Sequence, residues 1–110
     1  MHVRIYTLWN LSNFMAFYYT YVLLSEKDKQ LYTGSTKNLK ERFEQHCKGK
    51  VFSTKHRLPL KLIYYEACLT EDDARRREKS LKSFRGKMFI RRRLKSYFTG
   101  WIKRLYNLGR

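Results

Sequence analysis

The sequence contains few of the residues that build metal clusters, disulfide frameworks and tight turns. Among its 110 residues there are two cysteines, one proline and five glycines. The spacing of Cys47 and Cys68 fits neither a zinc cluster nor a disulfide framework. We therefore predict buried, unpaired cysteines in a protein of the reducing cytoplasm. Internal repeats and low-complexity segments are also lacking.

Acidic residues are scarce too, and they are distributed unevenly. Nine Asp and Glu stand against 25 Lys and Arg, which gives a net charge of +16 at pH 7, and no acid follows Glu78. This density of positive charge repels itself unless a polyanion or counterions neutralise it. A nucleic acid is therefore the predicted partner, contacted through its phosphates. The candidate contacts are Lys37, Lys50, Lys55, Arg57, Arg91, Arg92 and Arg93.

One long stretch near the start of the chain carries no charge. It runs from Ile5 to Leu24 and follows Arg4, a pattern that would also suit a signal anchor. Polar residues interrupt the stretch, and its second half alternates as a strand does. Met15 stands just before that strand. We therefore predict no membrane association and expect residues 1–14 to be an extension outside the fold, with an anchored protein as the alternative.

The rest of the sequence predicts one α+β domain over residues 15–98. With 43% hydrophobic and 16% aromatic residues, a chain of this length can bury one modest core. The hydrophobic periodicity predicts the order ββαβαα, a small three-stranded antiparallel sheet flanked by helices. Gly49 and Gly86 are the expected ends of the first two helices. The predicted strands are 17–25, 31–34 and 60–66, the predicted helices are 39–48, 70–84 and 87–98, and residues 99–110 form a basic tail.

Five polar side chains could share one site on this fold. Tyr21 and Tyr32 lie on paired strands, where neighbouring side chains can approach each other. Arg42 and His46 are four residues apart in the first helix, so they lie on one face beside its apolar stripe. Glu78 lies on the apolar side of the second helix, which makes it an inward-facing carboxylate. The pattern predicts a basic site with a single acid.

Each of these residues also has an ordinary structural explanation. The two tyrosines could be core residues, and Arg42 could be a solvated helix residue. His46 could interact with the dipole at the end of its helix. Glu78 could be the i,i+4 ion-pair partner of Lys82. Taken singly, no residue decides between these alternatives, so the hypothesis of a site depends on their joint spacing.

That joint spacing resembles the GIY-YIG nuclease family, especially small stand-alone bacterial domains similar to the nuclease domain of the excision-repair incision subunit. The resemblance covers residues 17–98. Residues 19–21 (YTY) resemble the first family motif with only its final tyrosine kept, and residues 32–34 (YTG) resemble the second. Arg42 follows ten residues after the second motif begins, and residues 74–79 (ARRREK) resemble the metal-binding helix.

The resemblance implies a metal-dependent endonuclease that hydrolyses DNA phosphodiester bonds, with a possible place in DNA repair. Tyr21 would be nearest to the attacking water as a general base or its relay, and Tyr32 and His46 would orient water and phosphate. Arg42 would hold the scissile phosphate. Glu78 would carry a single Mg²⁺ or Mn²⁺. No small-molecule cofactor is implied, and structured or branched DNA is the expected substrate.

Two positions depart from the family pattern. Ser35 stands where the repair subunit has a lysine, and residues 89–92 offer no clear match to its C-terminal asparagine. These differences bear on proton transfer more than on the class of reaction. The chief alternative is a non-catalytic basic module that binds nucleic acid on the same fold. Dependence on a divalent cation would separate the two, because phosphate neutralisation is common to both.

Overall fold

A computed structural model describes residues 16–106, so the predictions for residues 1–14 and 107–110 lie outside the described residues. The α+β class with a three-stranded antiparallel sheet flanked by helices is confirmed. The described part contains one helix more than predicted. The elements are β1 Tyr18–Ser25, β2 Leu31–Thr36, α1 Leu39–Cys47, β3 Leu60–Cys68, α2 Glu71–Lys82, α3 Phe84–Arg93 and α4 Lys95–Tyr106.

The sheet has the order β2-β1-β3, with β1 in the centre and antiparallel to both neighbours. Successive side chains of a strand point to opposite faces of its sheet. Odd-numbered residues of β1 therefore face α1, and even-numbered ones face the three C-terminal helices. The first core contains Tyr21, Leu23 and Leu60 with Leu39 and Phe43 packed against them, and the second contains Val22, Leu24, Leu81, Ile90 and Phe98.

Polar side chains begin the first two helices, as the sequence predicts. The Asn38 side chain accepts a hydrogen bond from the backbone N–H of Glu41, and the Thr70 side chain accepts one from Asp73. Each bond satisfies an N–H that has no partner within its helix. Gly49 has a positive φ of 72° just after α1, a conformation that glycine adopts without steric cost. The predicted end of the first helix is therefore confirmed.

The predicted end of the second helix at Gly86 is wrong. α2 ends at Lys82, and Ser83 caps both helices, because its N–H donates to the Ser80 carbonyl and its hydroxyl accepts from the N–H of Gly86. Gly86 is buried within α3. A Cβ at this position would lie 2.2 Å from the Ser80 carbonyl oxygen. The glycine therefore permits a close approach between α3 and the end of α2 and does not stop a helix.

The predicted third helix, 87–98, is in fact two helices. α3 ends at Arg93, because the next residue, Leu94, has a φ of −108° and a ψ of 36°, outside the helical range. α4 then runs from Lys95 to Tyr106. α4 crosses the predicted boundary at residue 98 because its apolar residues continue at helical spacing. Phe98 is buried, and Tyr97 and Trp101 pack against the same core. Gly100, a poor helix former, and the basic residues Lys103 and Arg104 obscured that pattern.

Within residues 16–106, no helix is long and apolar enough to cross a membrane. Residues 18–24 of the charge-free stretch belong to the central strand β1. Its side chains from Thr20 to Ser25 are buried by the two layers of helices.

We expect Gly86→Ala to lower the free energy of unfolding by about 1–3 kcal/mol or more, since the new methyl group overlaps backbone atoms of α2. Gly100→Ala is the matched control within a helix. A Cβ there meets only the flexible Arg104 side chain, at 3.5 Å, so alanine should be neutral or stabilise by up to about 1 kcal/mol. Urea unfolding measures both effects. Equal effects at the two positions would contradict the close approach.

Candidate active site

A buried chain of three hydrogen-bonding groups lies between the sheet and α1. The Tyr21 hydroxyl is 2.8 Å from His46 Nε2, although the two residues are 25 positions apart in sequence. His46 Nδ1 is 2.8 Å from Thr54 Oγ1. All three side chains are at most 1% exposed. Tyr21 and His46 therefore contact each other directly, and the loop residue Thr54 holds the other ring nitrogen of His46.

The second motif glycine is required by the position of the Tyr21 ring. Gly34 is opposite Tyr21 in the β1–β2 register, and the phenol lies across it. A Cβ at position 34 would lie 2.5 Å from the Tyr21 hydroxyl oxygen. Any larger residue would therefore displace the phenol from His46.

Tyr32 lies beside this buried pair and is more exposed. Its ring centroid is 5.2 Å from that of His46 and 6.5 Å from that of Tyr21. The Tyr32 hydroxyl accepts a weak hydrogen bond from Ser53 at 3.5 Å. Two phenols and an imidazole therefore form one aromatic cluster, and Tyr32 is its partly exposed member.

Arg42 lies one turn before His46 on α1 and is partly buried. Its guanidinium donates to the Gln45 amide oxygen at 3.0 Å. It lines a polar depression of about 340 Å³ at the start of α1. The depression is lined by Ser35, Thr36, Lys37, Asn38, Glu41, Arg42 and Gln45.

Burial shifts the titration of both members of the central pair. Burial raises the pKa of Tyr21 to about 12, although hydrogen bonding and the charge of Arg42 oppose the rise. Burial also lowers the pKa of His46 to about 4, and the positive charge of Arg42 adds to that effect. Both groups are therefore uncharged at neutral pH. His46 does not act as a cation at the end of its helix, which was the structural alternative for this residue.

Glu78 approaches from the opposite face of the sheet. Ser35 is paired with Thr20 in the β1–β2 register, which puts its side chain on the α2 side, where its hydroxyl donates to Glu78 Oε1 at 2.6 Å. Lys82 Nζ lies 2.8 Å from Glu78 Oε2. The Glu78 carboxylate thus points inward, as predicted, and also forms the ion pair with Lys82 that was the alternative explanation. Ser35 links it to the depression that Arg42 lines.

The Glu78 carboxylate fits a hard divalent cation. Burial works to raise its pKa, but hydrogen bonds from Lys82 and Ser35 outweigh burial and lower it, so the group is ionised at neutral pH. Its side chain is 22% exposed and that of Lys82 is 53% exposed. Within residues 16–106, no three His, Cys, Asp or Glu side chains form a metal-binding cluster. A cation at Glu78 would therefore take its other ligands from water and phosphate, as Mg²⁺ commonly does.

The basic residues predicted to contact nucleic acid differ in their availability. Arg57 forms an ion pair with Asp28 at 2.6 Å and also donates to the carbonyl of Gln30. Its guanidinium therefore braces the β1–β2 hairpin, and we give it a structural role. The other predicted contacts are exposed on the surface: Lys37, Lys50, Lys55, Arg91, Arg92 and Arg93.

Two residues of the site were not predicted from the sequence. Thr54 lies in the basic loop before β3, where the sequence has no periodicity to indicate which side chains are buried. Ser35 was noted only as a departure from the family pattern. Its spacing from Tyr32 puts it on the opposite face of β2, and that parity is the signal that could have paired it with the α2 carboxylate.

Residues 17–89 match the family model of the GIY-YIG catalytic domain. This match covers more than half of the chain, which therefore belongs to the GIY-YIG family. The family domain is of the nuclease type, which implies a nucleic-acid substrate and, in general, a divalent metal ion. The family resemblance predicted from the sequence is confirmed.

Relatives of the chain carry the name UPF0213, which describes no reaction. One from Staphylococcus haemolyticus is 41% identical over 71 residues, covering 64% of this chain and 85% of that protein. One from Pseudomonas aeruginosa is 37% identical over 62 residues, covering 56% of this chain and 60% of its own. A solution NMR structure of a UPF0213 protein from Bacillus halodurans is 32% identical in sequence. The match covers 67% of this chain and 81% of that chain, with a TM-score of 0.43.

The depressed pKa of His46 predicts a pH-dependent stability. The folded state favours the neutral His46 ring. The contribution of this ring to the free energy of unfolding is therefore complete above the unfolded pKa of 6.5 and is lost as the pH falls towards 4. We expect the free energy of unfolding to fall by about 1.4 kcal/mol per pH unit in this window. His46→Gln should remove that slope, whereas His56→Gln, at an exposed position, should keep it. Urea unfolding between pH 4 and 7 measures the slope, and an unchanged slope in His46→Gln would contradict the assignment.

Proposed function

We propose that this chain is a metal-dependent endonuclease that hydrolyses DNA phosphodiester bonds, with weak sequence preference and selectivity for structured or branched DNA. The observation that carries the proposal is the buried hydrogen bond between Tyr21 and His46, beside Arg42. These groups can move a proton and neutralise a phosphate, which are the two needs of phosphodiester hydrolysis. Membership of a nuclease-type family supports the same reaction. DNA repair in the cytoplasm is the setting we propose for it.

In this proposal Tyr21 removes the proton from the attacking water. With a pKa of about 12, the phenol does not ionise on its own at neutral pH. Its oxygen instead takes a proton from water while its own proton passes to His46 Nε2, 2.8 Å away. Thr54 accepts from Nδ1–H and holds the ring in the tautomer that leaves Nε2 free. Tyr32, the more exposed phenol, would orient the water.

Substrate binding would strengthen this relay. Part of the depression of the His46 pKa comes from the charge of Arg42. A phosphate bound to the Arg42 guanidinium would offset that charge, so the pKa of His46 would rise towards its ordinary value. The imidazole would then become a better proton acceptor only when a scissile phosphate is present.

Arg42 and Glu78 would stabilise charge at the phosphate. A guanidinium holds two phosphate oxygens in a fixed geometry and stays charged throughout. Glu78 would hold a single Mg²⁺ or Mn²⁺, with Ser35 fixing Oε1 and the exposed Lys82 turning away from Oε2. When bound, such an ion neutralises the charge that develops on the leaving 3′ oxygen.

The exposed basic residues would bind DNA without reading its sequence. Neutralising Arg91, Arg92 and Arg93 together, by substitution with Gln, should weaken binding to all sequences. The slope of log K against log salt concentration should flatten by about 0.9 for each lost phosphate contact. Arg57→Gln is the control. The Arg57 guanidinium is held by Asp28, so its removal should leave the slope unchanged. Fluorescence anisotropy over a salt series measures both, and an unchanged slope in the triple variant would locate the DNA elsewhere.

The decisive test of the proposed function separates cleavage from binding. Glu78→Ala should reduce Mn²⁺-dependent cleavage by at least about 100-fold, while DNA affinity in EDTA is kept or increased because a negative charge near the phosphate is removed. Glu71→Ala removes the same charge from the exposed start of α2 and should cleave normally. Arg42→Lys keeps the charge but loses the guanidinium geometry, so cleavage should fall with a modest loss of affinity.

The outcomes of this test are distinct. If the wild type cleaves no DNA with any divalent cation, or if Glu78→Ala cleaves normally, the nuclease mechanism fails. Tight binding without cleavage would instead favour the non-catalytic nucleic-acid-binding module. A panel of linear, nicked, flapped and branched DNAs would show which structure is preferred.

A further inference from the structure

A second concave surface adjoins the polar depression but has a different chemistry. It is a mainly apolar groove of about 570 Å³, a size typical of sites for small organic groups. Lys37 and Asn38 line both surfaces. The other residues of this groove are Tyr19, Leu39, Lys40, Phe43, Glu44, Leu62 and Tyr65.

The strand register puts the groove on the same face of the sheet as the catalytic tyrosine. Tyr19 precedes Tyr21 by two positions on β1, and Tyr65 of β3 is opposite Tyr21. An irregularity in the β1–β3 pairing between Val22 and Leu23 keeps Leu62 on this face, opposite Leu23. The groove is thus continuous with the site along the sheet.

Aromatic rings in the groove are open to a ligand. Tyr65 is 54% exposed, and Tyr19 is partly exposed. Their ring centroids are 5.9 Å apart at an interplanar angle of 64°, an edge contact that leaves ring surface for another planar group. Phe43 of α1 closes the other side. A flat, aromatic ligand suits these walls.

The charges around the groove favour an anionic ligand. Lys37 lies just before α1 and Lys40 lies in its first turn, and both are exposed. Glu44 is the single carboxylate among the residues that line the groove. A nucleotide combines a planar aromatic base with a phosphate, and aromatic rings beside basic residues bind unpaired nucleotides without strong sequence preference. A base stacked in a duplex cannot reach such a wall, whereas a base in a single strand can.

We propose that this groove binds an unpaired nucleotide of the DNA strand adjacent to the scissile phosphate, with the base stacked on Tyr65 and Tyr19 and its phosphate near Lys37 and Lys40. The proposal rests on the proposed function, since it defines the substrate class of the same site. A flap or a branch supplies such a nucleotide, and an intact duplex does not. Selectivity for DNA structure would then come from the groove.

The test uses the full chain in EDTA with two DNAs of equal phosphate number near the junction: a single-stranded flap and the same flap with abasic sites. Wild type should bind the natural flap roughly 5-fold or more tightly than the abasic flap, since stacking one base on an aromatic ring contributes at least this much. Tyr65→Ala should remove the difference and Tyr65→Phe should keep it. Phe84→Ala, at a residue 77% exposed on α3, is the matched control and should also keep it.

Two results would overturn the proposal. One is equal binding of natural and abasic flaps by the wild type, as expected if another segment or a second copy fills the groove. This comparison uses the wild type alone, so it does not depend on whether a variant folds. The other is a base-dependent advantage that survives in a folded Tyr65→Ala protein. Cleavage with Mn²⁺ is scored separately. If the protein cleaves DNA but binds both flaps equally, the proposed function stands and the groove proposal fails. If it prefers the natural flap but cleaves nothing, the groove proposal stands and the proposed function fails.

Discussion

The burial of β1 on both faces is the constraint on which the rest of the structure depends. Its residues from Thr20 to Ser25 are all buried, so successive side chains must pack alternately against the helices on the two faces of the sheet. One face takes the phenol that meets His46, and the other takes the aliphatic side chains that hold the C-terminal helices. Thr20, a polar residue on the second face, satisfies its hydroxyl by donating to the Ala74 carbonyl of α2 at 2.9 Å. That bond joins the central strand to the helix that carries Glu78.

This division explains how a small domain keeps a carboxylate and a proton relay apart. Tyr21, His46 and Thr54 form a buried group on the α1 side, where burial keeps both titrating members neutral. Glu78 lies on the α2 side, partly exposed and ionised, and the edge-strand residue Ser35 that donates to it lines the same depression as Arg42. Were the carboxylate placed in the aromatic cluster, its charge would oppose proton removal by raising the pKa of Tyr21 further. Separation by the sheet limits that effect.

The alternation of polar and apolar residues was sufficient to predict the sheet, α1 and the start of α2, because local caps such as Asn38 and Thr70 and the turn at Gly49 act within a few residues. Gly86 misled the prediction because its role comes from a backbone that approaches from the preceding helix, which no local pattern shows. The continuation of α4 was missed because, of the described residues beyond Phe98, only Trp101 packs against the core, whereas Ile102, Leu105 and Tyr106 are exposed. In the site, helical spacing was sufficient to predict that His46 and Arg42 share a face. The partners Ser35, Thr54 and Asp28 depend on contacts between distant segments.

The contact between Tyr21 and Gly34 has a consequence for how sequences of this kind can vary. The two positions belong to different motifs, yet the phenol occupies the volume that a side chain at position 34 would need, so the motifs form one steric unit. Tyr19 and Thr20 are free of that restriction, since one borders an open groove and the other bonds to α2. This packing therefore tolerates a degenerate first motif that keeps only its final tyrosine, whereas a side chain at position 34 would need a smaller residue in place of Tyr21.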